Sequence, residues 1–223
     1  MSTDTPSPAI NLQVLEFLSS RICHDLISPV SAVNNGVELF EELGPDAGDE
    51  VIGLIASASR TAARKLQLMR LAYGAGGNDP SIRPDIVFDA VQGFLEMDEK
   101  VEFTPPEKMA QGPLLGKPNI NRVLACCLFL VFECLPRGGK MAMDFTENNI
   151  TLNASGADAR LWSLAGSYAT KEQIEAGDTL DPRSIHPFVT GLYARTNGYV
   201  LSFSEVAGDE GQVVLSVQMP EQA

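Results

Sequence analysis

The chain has 223 residues, a formal net charge of −13 and 44 % hydrophobic residues, enough apolar material for one large packed domain or two small ones. That charge excludes nucleic-acid binding by phosphate neutralisation, which needs clustered Lys and Arg; residues 1 to 75 carry nine acids against five bases, and the remainder is more acidic still. The longest uninterrupted apolar run, Val123 to Phe132, stops at Glu133 well short of the roughly 20 residues a bilayer span needs, and the acidic start Met1 to Pro8 is unlike a signal peptide, so a cytoplasmic protein with no membrane attachment is expected.

Leu15, Leu18, Ile22, Leu26, Val30, Val33, Val37 and Phe40 recur at spacings of three and four, which predicts a long amphipathic helix with an apolar seam. A second three-four series, Arg21, His24, Ser28, Ser31 and Asn35, runs beside that seam and is polar or small. His24 therefore belongs to a stripe that a partner can reach, with an acid, Asp25, next to it in sequence. The turn residues of Gly44 to Asp49 end this helix, and Val51, Ile55, Ala58, Ala62, Leu66, Met69 and Tyr73 carry the seam of a second. Two such helices on a short connection fold back as an antiparallel hairpin, and reflection through the loop sets position 24 level with Met69 and Arg70. Arg60, Arg64, Lys65 and Arg70 form a basic cluster on the second helix, either a solvated face or a docking surface for an acidic partner. Two seams this apolar exceed what one hairpin buries, so a homodimer built on a four-helix bundle is expected.

Helical periodicity stops at Tyr73 to Pro80, which divides the chain into a hairpin domain, residues 1–75, and a second domain, residues 81–223. The second domain reads as a helix (Pro84 to Met97), a strand (Val101 to Thr104) and a thoroughly apolar helix (Pro118 to Leu135). Strands follow at Lys140 to Phe145 and Asn149 to Asn153, with another alternating segment from Leu161 to Tyr168. A helix (Ser184 to Thr196) and a closing hairpin (Tyr199 to Glu205, Gln212 to Gln218) complete it. The fold class is α+β: a helical hairpin, then a two-layer α/β domain with helices on one face of a mostly antiparallel sheet. The four cysteines, at 23, 126, 127 and 134, lack the spacing of a metal site or a disulfide framework and read as reduced core thiols. His186 has no supporting constellation and reads as structural.

The run His24-Asp25-Leu26-Ile27-Ser28-Pro29, continued by Val30-Ser-Ala-Val, resembles the phosphoacceptor box of sensor histidine kinases. The order of elements beyond it is similar to that of the kinase ATP-binding domain. The nucleotide motifs are missing: Ala125 to Glu133 holds no asparagine, and no glycine-rich box stands near Leu164-Ala-Gly-Ser or Thr179 to Ser184. Without glycines that admit backbone to a triphosphate and side chains that hold magnesium, ATP binding is not expected. A phosphoacceptor hairpin fused to a degenerate kinase-like domain resembles the ChpT-type histidine phosphotransferases.

That resemblance implies a phosphorelay. His24 would take a phosphoryl group from the receiver domain of a hybrid histidine kinase and pass it to response regulators. Nε2 would attack while Asp25 holds the opposite N–H, although adjacent helical residues do not normally face each other. Ser28 would bond the phosphoryl oxygens, and Pro29 would free the carbonyl of Asp25 beside the acceptor. Arg21 would support the site, and Ser31 would join Arg60, Arg64, Lys65 and Arg70 in docking. No cofactor would be bound by this chain; Mg2+ would come with the receiver. Two other readings stay open: a divergent ATP-dependent kinase, and a dimeric scaffold that binds receivers without chemistry.

Overall fold

The computed structural model describes residues 12–44, 48–79, 82–96, 100–106, 117, 119–146, 148–161, 165–171 and 180–219. Met1 to Pro8, the centre of the first helix connection, Met97, Pro118, Leu164 and Thr179, on which parts of the sequence reading fall, lie outside them.

Two long helices lead, α1 (Leu12–Leu43) and α2 (Gly48–Ala72). They run antiparallel: Gly36 meets Ile55, and the carbonyl of Asp25 meets the ammonium of Lys65. Position 24 is thus level with Lys65 and Leu66, about one helical turn nearer the loop than reflection indicated. The face by which α1 packs differs from expectation too. Its buried residues are Arg21, Pro29 and Gly36, where a Cβ on Gly36 would fall 2.6 Å from Ile55 Cγ1. Small residues let the two helix backbones approach closely, so the hairpin closes along them and leaves much of the apolar seam outside. Leu15, Val30, Val37 and Phe40 are exposed, and Leu12, Ile27, Leu39, Leu43, Ile52, Leu54 and Leu66 join them on the hairpin surface.

The part of the chain read from the sequence as a second domain contains α3 (Pro84–Leu95), β1 (Val101–Thr104), α4 (Ile120–Phe132), β2 (Gly139–Phe145), β3 (Asn149–Ala157), α5 (Ala165–Thr170), α6 (Ile185–Thr196), β4 (Val200–Val206) and β5 (Glu210–Gln218). The strands form one sheet in the order β1-β2-β3-β5-β4, parallel only between β1 and β2, which α4 separates in sequence. Alternation fixes which face is covered: Met141, Met143, Ile150, Leu152, Val213, Leu215 and Val217 are buried, while Lys140, Asp144, Ser155, Gln212 and Ser202 are exposed. Every residue of α4 from Ile120 to Val131 is buried, because this helix packs on α2, α3, α6 and on strands β3 and β5. Its unbroken apolar run is what a helix covered all round requires.

Of the alternating segment expected from Leu161 to Tyr168, residues 162–164 lie outside the described residues and Ala165 to Tyr168 belong instead to the short helix α5 (Ala165–Thr170). Ala165, Tyr168 and Ala169, spaced by three and four, are its buried residues, and helical spacing wins because α5 packs on α6. A 3-10 turn, Ala75–Asn78, leads from α2 into the second domain. Leu68, Leu71 and Ala72 of α2 belong to the same apolar core as α3, α4 and the sheet, so the end of the hairpin is built into its neighbour.

Behind that junction His186 is fully buried. Tyr73 Oη donates to its Nδ1 (2.6 Å), and its Nε2–H donates to the carbonyl of Cys126 (3.1 Å). Both nitrogens are satisfied in a neutral ring, and burial, with Arg21 adding to it, pushes its pKa down to about 3. Cys126, Cys127 and Cys134 are buried, and burial pushes the Cys126 and Cys134 thiols up to about 12. Cys23, by contrast, is free but exposed on α1, not a core thiol. No helix among the described residues is long and apolar enough to cross a membrane.

Candidate functional site

His24 projects from the outer side of α1 with its side chain 83 % exposed. Asp25, next along the helix, reaches it: Asp25 Oδ1 lies 3.2 Å from His24 Nδ1. Neighbours on a helix point apart, so this contact needs a reason. Arg21, one turn earlier, supplies it. Its Nε donates to Asp25 Oδ2 at 2.9 Å and holds the carboxylate up against the helix surface, from where the other oxygen meets the imidazole.

Sequence periodicity set Arg21 on the outward polar stripe, but in the structure it is buried. Its guanidinium turns toward the second domain, donates to the carbonyl of Pro182 at 3.0 Å, forms a close ion pair with Glu133, and stands over the ring of Phe129. Burial works against the guanidinium charge, yet Glu133 and Asp25 more than compensate and raise its pKa. Burial raises the Glu133 carboxyl above its ordinary range, with Arg21 opposing. Arg21, Asp25, Lys65 and Glu133, together with Leu68, Met69, Phe94, Phe129 and Phe132, line a cleft of about 170 Å³ beside the histidine.

Pro29 lies inside α1, which continues through it unbroken to Leu43. Proline has no N–H to offer the carbonyl of Asp25, one turn back. Lys65 from α2 takes that carbonyl instead, its Nζ donating at 3.1 Å. Lys65 therefore turns inward and pins α2 to the turn that carries His24. The rest of the basic cluster disperses. Arg60 is exposed, Arg64 lies against α3, where a Cβ on Gly93 would come 2.5 Å from its Nη1, and Arg70 passes beside Gly76. Ser28 and Ser31 are exposed on α1, Ser28 one turn beyond His24.

Glu133 and the three phenylalanines escaped the sequence reading. The signal was present: one acid at the end of the apolar run from Val123 to Phe132 must find a cation if it stays charged. No group of three or more His, Cys, Asp or Glu among the described residues is arranged to hold a metal ion.

Chemically, the arrangement presents a nucleophile. With Nδ1–H donated to Asp25, the lone pair of the neutral ring is on Nε2, which points to solvent, where another protein can bring an electrophile.

The family model for the histidine phosphotransferase C-terminal domain matches residues 88–209. Over 219 residues the chain is 33 % identical to the protein phosphotransferase ChpT of Brucella abortus (strain 2308), an overlap of 94 % of this chain and 97 % of that one. It also resembles a solved structure described as a bacterial phosphotransferase, with a TM-score of 0.75 and 27 % identity, covering 96 % of this chain and 99 % of the other. With the family model matching more than half of the chain and the ChpT likeness covering 94 % of it, the chain belongs to the family of phosphorelay histidine phosphotransferases.

Proposed function

We propose that His24 is the phosphoryl carrier of the relay, taking the group from an aspartyl phosphate on the receiver domain of a hybrid histidine kinase and delivering it to the aspartate of a response regulator in the cytoplasm. The observation that carries this reading is an exposed imidazole whose Nδ1 is held by Asp25 and whose Nε2 is open. In the first half-reaction the Nε2 lone pair attacks phosphorus. The new N–P bond forms as the P–O bond to the receiver's aspartate breaks, and that carboxylate leaves with the electron pair. The ring becomes cationic, and Asp25 offsets the charge through the Nδ1–H it accepts. In the second, a carboxylate oxygen of the next receiver attacks phosphorus, the N–P bond breaks, and neutral imidazole returns. Mg2+ bound by the receiver would supply charge neutralisation at the phosphoryl oxygens, and Ser28, exposed one turn beyond His24, would bond them from this side.

Transfer of radiolabel from a phosphorylated receiver domain to wild type and to His24→Ala, with ATP alone in parallel, tests this. The expected label depends on the receiver and vanishes in the variant. Label from ATP alone would establish a kinase, and binding of the receiver without label, by a donor proven competent, would establish a scaffold.

The exposed apolar side of the hairpin supports a homodimer. Leu12, Leu15, Ile27, Val30, Val37 and Phe40 stand exposed within one arc of α1, an apolar face that soluble surfaces rarely leave open and that a second hairpin would cover as a four-helix bundle. In sedimentation velocity at micromolar concentration, wild type is expected to run as a dimer. Val37→Glu with Phe40→Glu, which would bury unpaired charge in the interface, should weaken it at least about tenfold toward monomer. A monomeric wild type would refute the bundle.

A further inference from the structure

We infer that Glu133, at the end of α4, is a positioning residue for His24: through Arg21 it fixes the carboxylate of Asp25 that holds the imidazole. This deepens the reading of His24 as the phosphoryl carrier and rests on it.

Four groups form one chain of contacts across two parts of the fold. Glu133 pairs with Arg21 Nη2, Arg21 Nε donates to Asp25 Oδ2 at 2.9 Å, and Asp25 Oδ1 is 3.2 Å from His24 Nδ1. Exposure drops from 83 % for the His24 side chain to 18 % for Asp25 and stays low beyond it, at 11 % for Arg21 and 17 % for Glu133. The reacting ring is wet, whereas the groups that aim it are in the low-dielectric junction, where a fixed charge holds its partner strongly.

Arg21 alone would not suffice. A long, flexible side chain tied only to Asp25 would swing with it, because one hydrogen bond does not fix the plane of a guanidinium. Glu133 and the Pro182 carbonyl hold the two terminal nitrogens of the guanidinium, Nη2 and Nη1, and fix its plane, so Nε has one place to point. Phe129, one turn before Glu133, underlies the same guanidinium. The second domain thus reaches into the geometry of the histidine through α4, the helix its core grips most completely.

Glu133 is itself incompletely satisfied. Its Oε2 is buried without a hydrogen-bond partner, and burial raises the carboxyl's pKa. A buried acid with one oxygen unmet costs stability; replacing a buried ion pair with apolar groups is often neutral or favourable. Its use is accounted for by the orientation it imposes on Arg21.

The test combines Glu133→Gln, Asp25→Asn and the double variant in single-turnover transfer from a phosphorylated receiver domain, with nitrogen-15 correlation spectra reporting the His24 tautomer. Glu133→Gln is expected to slow transfer about tenfold, as misplacement of an orienting group does, at unchanged receiver affinity. The His24 ring should lose Nδ1–H population in the spectra. In the Asp25→Asn background the same substitution should change nothing further, because its effect passes through that carboxylate.

A wild-type rate for Glu133→Gln, or an equal loss on top of Asp25→Asn, would overturn the inference. If melting curves show that Glu133→Gln does not fold, Arg21→Met with Glu133→Leu removes both buried charges together and should give the same dependence on Asp25. Transfer at the wild-type rate in that pair would likewise overturn it. A wild type that takes no receiver-derived label would sink the relay reading, and the tautomer spectra would still decide whether Glu133 sets the ring.

Discussion

Asp25→Asn is expected to slow phosphoryl transfer to His24 about 10²-fold, in the range lost when a general acid–base partner is removed, while receiver binding stays as in wild type. The reason is the direction each hydrogen bond must take. Arg21 Nε can only donate, and it is 2.9 Å from one side-chain oxygen of Asp25. An asparagine placed there turns its carbonyl oxygen to Arg21 and is left presenting its NH2 to His24 Nδ1. That nitrogen must then accept, so the ring proton moves to Nε2, and the lone pair faces the helix instead of the receiver. The side chain keeps its size and the helix its shape, but the nucleophile points the wrong way. Single-turnover rates beside a binding titration separate this from lost docking. A change of less than about twofold would mean that Asp25 serves only as the partner of Arg21 and does not set the histidine's tautomer.

The second large effect concerns acid stability. His186 ordinarily titrates near 6.5, and its folded-state value is pushed down to about 3 by burial. A base depressed in this way binds its proton more readily in the unfolded chain. Its contribution is fully present above pH 6.5 and is lost as pH falls from there toward 3. By pH 4 the loss is about 3 kcal/mol, a large share of the 5–15 kcal/mol by which domains are typically stable. Glu133, raised by burial, acts with the opposite sign, and Asp181 is lowered by hydrogen bonds from Ser184 and Arg183 against the effect of its slight burial, so its contribution is lost as pH falls. Both remain in His186→Gln and cancel on comparison. Urea unfolding of the two proteins from pH 7 to 4 should therefore show wild type losing about 3 kcal/mol more than the variant. Parallel slopes would show that His186 is protonated, or reached by water, in the fold.

Much of the architecture was legible because periodicity and burial coincide. The run from Val123 to Phe132 could only be a helix or strand covered on all sides, and α4 is that helix. The strand Val101–Thr104 and the last hairpin followed from alternation between turn signals. Ala165 to Tyr168 was misread because a few residues of small and mixed polarity fit either period, and tertiary packing on α6 decided the outcome.

The hairpin shows a different limit. The sequence reveals that α1 has an apolar seam but not which face its own partner helix takes. Gly36, inconspicuous by composition, makes the close contact with Ile55, and much of the obvious seam is left outside. At the site, His24, Asp25 and Pro29 stood out as a local motif, and the carbonyl that proline frees is the one Lys65 fills. Arg21 was visible as a member of a polar stripe, while its inward turn depended on Glu133, 112 residues away in the chain. Contacts of that separation leave no periodic trace in a single sequence.

The most direct test of the account is the identity of the phosphorylated atom. Wild-type protein labelled by a phosphorylated receiver domain should carry its phosphate on residue 24 and on Nε2, as an acid-labile, alkali-stable phosphoramidate. Peptide mapping fixes the residue, and phosphorus–nitrogen couplings in isotope-labelled protein fix the atom. Phosphate on Nδ1 would contradict the role given to Asp25, and phosphate on any residue other than His24 would contradict the relay itself.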